Sequence, residues 1–173
     1  MAGCPTFPPV AVALKRKRSN GGLKTARSRG CIASRMAFAF HILGTSSSGN
    51  CSLLEVGGAR VMLDAGFQGP RLEASLQKLG IEARALDAVF ITHEHSDHCV
   101  GLPALLRQNP RLKVFANRET ARRIKDSFKS QPDWQLFETG TTFEFKGLQV
   151  TAIPIPHDAA DPVGFAFDLP AED

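Results

Sequence analysis

Four side chains of the kinds that bind metal ions lie within six residues of one another. Three of the chain's five histidines, His93, His95 and His98, fall in this segment together with Asp97. Imidazole and carboxylate groups are common protein ligands of divalent cations. The cluster therefore indicates a metal site, and a solvated polar loop is the alternative interpretation of the same residues.

The spacing divides these four residues into two pairs. They follow the near-continuous apolar run 86–91, which predicts a strand covered on both faces, and alternate side chains of an extended segment share a face. His93 and His95 can therefore converge on one cation. Asp97 and His98 fall where the chain turns into a helix, which suits a second cation, as in two-metal hydrolases. The H-E-x-x-H zinc motif is excluded, because Asp97 stands where that motif needs its second histidine.

A catalytic zinc ion usually has three protein ligands and one open position for water. His157, which follows the apolar stretch 151–156, is the natural third partner of His93 and His95, although a histidine at a strand end also occurs simply as a surface residue. Asp97 and His98 supply only two ligands, so the second cation would lack one or two.

Two other segments are candidates for supporting roles. Asp64 ends a predicted buried strand and either orients a ligating histidine or serves as a turn aspartate before Gly66. The loop 45–50 offers the hydroxyls of Ser46 and Ser48, the amide of Asn50 and free backbone N–H groups that could contact a phosphate, although the same sequence is typical of a plain turn. We expect Glu94 to face away from His93 and His95.

The elements that must position these residues form an α/β pattern from Phe38 onward. Gly57-Gly58 predicts a tight turn between two antiparallel strands, and the spacing of Leu72, Leu76 and Leu79 predicts a helix that ends at Gly80 and crosses over to the next strand. A helix should begin near Asp97, and another, capped by Asn117, should reach about Phe128. The predicted strands are 38–43, 52–56, 60–63, 86–91, 113–116, 142–145, 148–155 and 163–167.

The size and composition indicate one globular domain. The chain has 173 residues, and no apolar run approaches the roughly 18 residues needed to cross a bilayer. Its four cysteines form no C-x-x-C pair, which favours free thiols in a reducing compartment; Cys99 is expected to be a small buried helix residue, although it could approach a metal. We therefore expect no membrane span and a cytoplasmic location.

The formal charge of +4 combines two unlike segments. Residues 1–35 carry eight of the 21 Lys and Arg residues and none of the 17 Asp and Glu residues, so residues 36–173 have a net charge of −4. A strongly basic nucleic-acid groove is therefore not indicated. We interpret 1–35 as a disordered basic leader, with an organellar transit peptide, a nuclear address or translation from an upstream start as open alternatives, and 36–173 as the folded domain.

Together these segments resemble a known family. The run Thr92-His93-Glu94-His95-Ser96-Asp97-His98 is similar to the H-x-H-x-D-H signature of the metallo-β-lactamase superfamily, whose fold is an αββα sandwich with a dinuclear metal site. Within it, the chain resembles the YycJ/WalJ-type branch, which is linked to DNA exonuclease activity. The resemblance covers about residues 38–168, and its further motifs are 43–50, 63–66, 157–159 and 162–165.

The resemblance implies a role for each matching residue. It implies that His93, His95 and His157 bind the first metal and that Asp97 and His98 bind the second. It gives Asp64 a supporting role. The family also uses a bridging aspartate and a further histidine, and neither Asp158 nor Asp168 fits the aspartate's place in the pattern. We therefore expect a four-layer α/β fold of which this chain holds about the first half, truncated at its C-terminal end, with one sheet face exposed.

The function that the resemblance implies is metal-dependent hydrolysis. Two divalent ions, zinc by default and manganese or iron as alternatives, would activate a hydroxide that attacks a phosphodiester of DNA, with Asp97 as the catalytic carboxylate. A nucleic acid is thus the expected partner. Hydrolysis of a thioester or a lactam at the same site, and an inactive truncated metal-binding module, are the alternatives.

Overall fold

The computed structural model describes residues 12–16 and 38–169, which form two β-sheets and one layer of helices. The strands are β1 (Val12–Arg16), β2 (Phe38–Gly44), β3 (Cys51–Val56), β4 (Ala59–Leu63), β5 (Ala88–Phe90), β6 (Lys113–Asn117), β7 (Asp133–Phe137), β8 (Thr142–Phe145), β9 (Leu148–Pro154) and β10 (Val163–Leu169). The α-helices are α1 (Gly69–Lys78), α2 (Ser96–Cys99), α3 (Leu102–Gln108) and α4 (Arg118–Ile124).

The larger sheet has the strand order β2-β3-β4-β5-β6-β7. Strands β2, β3 and β4 are antiparallel neighbours, whereas β4, β5, β6 and β7 run parallel. The predicted hairpin at Gly57-Gly58 and the crossover through α1 are both confirmed. Because β4, β5 and β6 are parallel, their carboxyl ends lie at one edge of the sheet.

An apolar layer rich in phenylalanine joins this sheet to the smaller one, whose order is β1-β10-β9-β8. The ring of Phe90 stacks on that of Phe115 at a centroid distance of 4.4 Å and meets the ring of Phe165 edge-on at 5.3 Å. Phe90 and Phe165 are both fully buried. Since these rings come from strands of both sheets, they fix how one sheet sits on the other.

The helices cover the opposite face of the six-stranded sheet. Leu72 and Leu76 of α1 and Leu105 of α3 pack with Met62 and Val89, whose neighbours along each strand point into the layer between the sheets. This alternation explains why the central strands are apolar on both faces. On the smaller sheet, Thr142, Glu144 and Gln149 project outward and are exposed, as expected for an uncovered face.

Besides shifts of one or two residues at strand ends, four sequence-based predictions differ from the structure. Val12–Arg16, within the segment predicted to be disordered, forms β1, which pairs in parallel with β10; the prediction was wrong there because backbone pairing to the edge of β10 needs no hydrophobic period. The rest of 1–35 lies outside the described residues. Strand β7 was missed because an edge strand carries polar residues such as Asp133 and Gln135.

The third difference concerns the helix after the histidine cluster, which is two helices, α2 and α3. The helix is interrupted at Gly101, where a Cβ atom would lie 2.2 Å from the carbonyl oxygen of Phe67. The amide of Gly101 donates to the carbonyl of Ala65 at 2.7 Å. This close approach ties the end of the cluster to the segment after β4. Helix α4 is also shorter than predicted, since it ends at Ile124 and continues as a 3₁₀ turn.

None of the helices in the described ranges is long and apolar enough to span a bilayer.

Replacing Phe90 with alanine should test the role of the aromatic layer. The Phe90→Ala variant should lose about 3–5 kcal/mol of unfolding free energy, because it leaves a cavity among rings from both sheets. Urea unfolding followed by circular dichroism measures this, and Phe90→Leu provides a milder variant if the first does not fold. Phe38→Ala, at a phenylalanine that is 37% exposed, is the matched control and should cost under about 1 kcal/mol. Equal losses for Phe90→Ala and Phe38→Ala would contradict this account.

Candidate metal centre

The residues selected from the sequence gather beyond the carboxyl ends of β4 and β5. Asp64 directly follows β4, and Thr92 lies two residues after the end of β5. Because Leu63 pairs with Phe90 in a parallel register, the two segments leave the sheet side by side. In sheets of this kind ligands bind at the carboxyl ends of the strands.

Three histidines converge at this edge. One ring nitrogen from each of His93, His95 and His157 lies within 4.8 Å of the others. The Nε2 atoms of His93 and His157 are 3.1 Å apart. The rings meet at steep angles, with centroids 4.5 to 5.0 Å apart. The structure thus brings together the three residues that the sequence proposed for the first cation.

The distance between two of these nitrogens fits a zinc ion. Zinc binds imidazole nitrogen at about 2.0–2.1 Å, so two such ligands on a tetrahedral ion are about 3.3 Å apart. The observed separation of 3.1 Å between His93 and His157 is close to that value. A set of three imidazole nitrogen donors is also one that zinc accepts readily.

His93 is held in the form that binds metals. Burial, together with the neighbouring His98, His157 and His95, lowers the pKa of His93 to about 2. Its imidazole is therefore neutral at physiological pH. Its Nδ1 atom is 2.9 Å from the hydroxyl oxygen of Thr92, which leaves Nε2 facing His157.

Asp64 is fully buried and joins the two segments at the sheet edge. Its Oδ1 accepts from the amide of Thr92 at 2.8 Å, and its Oδ2 lies 2.8 Å from Nδ1 of His98 and accepts from the Thr92 hydroxyl at 2.9 Å. Its backbone has a φ of 57°, a left-handed value that aspartate tolerates better than most residues. The structure therefore places Asp64 against His98, where the proposed orienting role requires it.

Asp97 and His98 form the second pair. Oδ2 of Asp97 is 3.6 Å from Nε2 of His98, and the side chain of Asp97 is 30% exposed. Burial alone would lower the pKa of His98, but the hydrogen bond and charge of Asp64, together with the charge of Asp97, raise it overall. Because Nδ1 of His98 is engaged with Asp64, Nε2 is the atom that faces Asp97.

The serine loop, residues 45–50, lies beside this second pair, but its backbone N–H groups are not free as predicted. The amides of Ser48, Gly49 and Asn50 are hydrogen-bonded to Ser46 Oγ, the Ser46 carbonyl and the Asp97 carbonyl, so the expectation of free backbone N–H groups is wrong at these positions. They are engaged because the loop folds on itself and against the motif. The hydroxyls of Ser46 and Ser48 are exposed and 2.8 Å apart.

Gly66 makes the approach of three segments possible, which the sequence did not indicate. A Cβ atom there would lie 1.7 Å from the carbonyl oxygen of Asp97. The Gly66 amide donates to the Asn50 carbonyl, and the Asn50 amide donates to the Asp97 carbonyl. The serine loop, the segment after β4 and α2 are therefore locked together through their backbones.

The loop that carries His157 is fastened by residues that sequence reasoning missed. Oε1 of Glu94 accepts from the amide of Ala160 at 2.9 Å, and the Asn117 side chain donates to the carbonyl of Asp161 at 2.5 Å. Thr139 donates to the Asp161 carboxylate at 2.8 Å. The only signal in the sequence for the role of Glu94 in holding this loop was its position between His93 and His95. Its side chain reaches the loop between β9 and β10 of the smaller sheet.

The remaining candidate residues have ordinary roles in the described part of the chain. Asp158 contacts Nδ1 of His157 at 3.0 Å, and Asp168 lies within β10. The Cys99 sulfur lies 3.3 and 3.2 Å from the carbonyl oxygens of Glu94 and His95, to either of which its thiol can donate, and burial raises its pKa to about 12, so it remains protonated. Cys99 is the small helix residue that the sequence predicted.

Comparison with known proteins agrees with this architecture. Residues 59–172 match the family model described as the beta-lactamase superfamily domain. The chain is 32% identical over 138 residues to the exodeoxyribonuclease WalJ of Streptococcus pneumoniae, covering 78% of this chain and 51% of that protein. It is 31% identical over 134 residues to the exodeoxyribonuclease YycJ of Bacillus anthracis, covering 76% and 50%. The chain thus spans about half the length of these curated relatives.

Among solved structures, a B3 metallo-β-lactamase with an active-site glutamic acid superposes with a TM-score of 0.61 at 19% identity. The match covers 74% of this chain and 53% of that one. This likeness confirms the predicted α/β sandwich fold.

Two substitutions at Asp64 should separate its charge from its backbone role. Asp64→Asn should weaken metal binding about 10- to 100-fold, since it removes the carboxylate that orients His98, and should lose about 1–3 kcal/mol of unfolding free energy, because an amide NH2 group cannot accept from His98 or from the Thr92 hydroxyl. Asp64→Ala should lose about 2–4 kcal/mol of unfolding free energy, because alanine tolerates the left-handed backbone poorly and also leaves the Thr92 amide without its acceptor. Calorimetric metal titration and urea unfolding measure the two effects. Asp126→Asn, on an exposed turn, is the control, and unchanged metal affinity in Asp64→Asn would refute the orienting role.

Glu94→Ala should loosen the loop that carries His157. Because the carboxylate accepts from the Ala160 amide, its loss should speed hydrogen exchange of that amide and weaken binding of the first cation about 10-fold. Hydrogen-exchange NMR and zinc competition titration measure the two changes. Glu144→Ala, at an exposed position on β8, should change neither. If Ala160 exchanges at the same rate in Glu94→Ala and the unmodified protein, Glu94 does not hold the loop.

Proposed function

Because the chain belongs to the metallo-β-lactamase superfamily, within its YycJ/WalJ type, we propose that it is a metal-dependent hydrolase that cleaves phosphodiester bonds of DNA as an exonuclease. The observation that carries the proposal is the convergence of His93, His95 and His157 beside the pair Asp97 and His98. The choice of DNA is supported by two relatives named as exodeoxyribonucleases.

The proposed ligands form two adjacent sets. His93, His95 and His157 would hold the first cation, and Asp97 and His98 would contribute to a second. Zinc is the default for the histidine set, and manganese or iron suits a mixed set of histidine and carboxylate. When bound, two divalent cations polarise a phosphate oxygen and make a water molecule more acidic.

The chain's own residues would orient this chemistry. Asp64 holds Nδ1 of His98, so that Nε2 faces Asp97. Asp97 is the proposed catalytic carboxylate, since its side chain lies at the site and is partly exposed, where it can accept a proton from an attacking water. The exposed hydroxyls of Ser46 and Ser48 would donate hydrogen bonds to a phosphate of the substrate.

The charge distribution bears on how the substrate would be held. Residues 36–173 carry a net charge of −4, so a wide basic surface would not supply the affinity for DNA. Binding would instead depend on contacts between the scissile phosphate and the metal centre, which predicts a strong requirement for the cation even in substrate binding. The free thiols of Cys51 and Cys99 suit a reducing compartment, and we propose the cytoplasm as the location.

The decisive experiment compares His95→Ala with His41→Ala in the whole chain. His95 belongs to the histidine cluster, whereas His41 lies on β2 and contacts Glu55, so it is a matched histidine outside the site. His95→Ala should lose the first cation and at least about 100-fold of cleavage of end-labelled DNA and of an artificial phosphodiester, whereas His41→Ala should retain both. Metal content is measured by mass spectrometry beside each assay.

The same assays distinguish the alternatives. Undiminished cleavage by His95→Ala, or by protein treated with a chelator, would exclude the proposed mechanism. Turnover of a thioester or a lactam with no cleavage of phosphodiesters would replace the proposed substrate class. Stoichiometric metal without turnover of any of the three would identify a metal-binding module that is inactive by itself.

A further inference from the structure

The side chain of Asn50 lies where the two proposed ligands of the second cation meet. Its Nδ2 atom is 3.1 Å from Oδ2 of Asp97 and 3.1 Å from Nε2 of His98, and those two atoms are 3.6 Å apart. A third acceptor, the carbonyl oxygen of Ser46, is also 3.1 Å from Nδ2. An amide nitrogen has only two hydrogens, so it cannot satisfy three acceptors at once. One of the three contacts is therefore not satisfied by this amide.

The three side chains have the spacing of ligands around one ion. At metal–ligand distances of about 2.0–2.2 Å, neighbouring ligand atoms lie about 2.8 Å apart in octahedral and up to about 3.6 Å apart in tetrahedral coordination. The triangle formed by Asn50, Asp97 and His98 has sides of 3.1, 3.1 and 3.6 Å. The nitrogen itself is not a ligand, but the amide oxygen is isosteric with it and ligates hard cations.

Asn50 is a fixed part of the site. Its backbone N–H donates to the Asp97 backbone carbonyl at 2.7 Å, and its backbone carbonyl accepts from the Gly66 N–H at 2.9 Å. His98 is fixed too, because Asp64 engages its Nδ1, and Nε2 is the ring nitrogen that faces Asn50. Only the side-chain torsion of Asn50 has to change for the oxygen to replace the nitrogen.

We infer that Asn50 is a further protein ligand of the second cation, beside Asp97 and His98. Without the cation its amide nitrogen donates to the other two ligands, and with the cation the amide turns over and presents Oδ1. Two oxygen donors and one nitrogen favour a harder ion than three histidines do, so this site should prefer manganese while the histidine site prefers zinc. The inference rests on the proposed function, in which Asp97 and His98 bind a metal.

The test measures the two cations separately in the whole chain. One equivalent of zinc is added first, and manganese is then titrated and followed by electron paramagnetic resonance. Asn50→Ala should weaken manganese binding at least about 10-fold and leave the zinc affinity unchanged, because only the second site loses a ligand. Asn50→Asp, which supplies a carboxylate oxygen, should bind manganese at least as tightly as the unmodified protein. Ser47→Ala, in the same exposed loop, is the control and should change neither affinity.

Each other outcome overturns a different statement. If Asn50→Ala binds manganese equally or more tightly, or Asn50→Asp binds it less tightly, Asn50 only competes with the ion or shapes the loop, and the assignment fails. If the unmodified protein binds zinc but no second cation, the assignment also fails while the histidine site stands. If it binds no cation at all, the proposed function fails with it. Circular dichroism checks the fold of each variant, and Asn50→Asp decides the matter if Asn50→Ala does not fold.

Discussion

A fully buried carboxylate, that of Asp64, holds the end of β4 to the segment after β5 and to α2. A buried charge is costly unless it is hydrogen-bonded, and here the Thr92 amide, the Thr92 hydroxyl and the His98 ring provide the contacts. Each contact also sets the direction of a residue at the site, since Nδ1 of His98 is engaged and its Nε2 is left facing Asn50. The arrangement of the proposed ligands thus depends on a residue that is not itself proposed to touch a metal.

The first histidine site depends in addition on how the two sheets pack. His93 and His95 follow β5 of the larger sheet, whereas His157 lies between β9 and β10 of the smaller one. The edge-on contact of Phe90 with Phe165 helps set the distance between these sheets, and backbone contacts such as that of Val163 with Thr92 align their edges. A substitution in the aromatic layer should therefore shift His157 relative to His93 and His95, because protein interiors are close-packed and transmit displacements.

The elements of the fold could be predicted wherever one physical constraint dominated. The central strands are covered on both faces, so their continuous apolar runs indicated them, and the spacing of Leu72 and Leu76 indicated the amphipathic α1. Prediction failed where distant partners decided the structure. Strand β7 is an edge strand with polar residues, β1 exists through pairing with β10, and the break at Gly101 results from contact with the segment after β4.

The sequence alone determined which residues are the candidates for the chemistry and how they divide into pairs, because an extended segment followed by a helix fixes the directions of His93, His95, Asp97 and His98 locally. It also suggested His157 through the need for a third ligand. Only the tertiary structure decided that Glu94 fastens the His157 loop and that Asn50 stands between Asp97 and His98. Residue types and spacing do not encode those contacts, which join segments far apart in the chain and exist only once the strands have set the segments side by side.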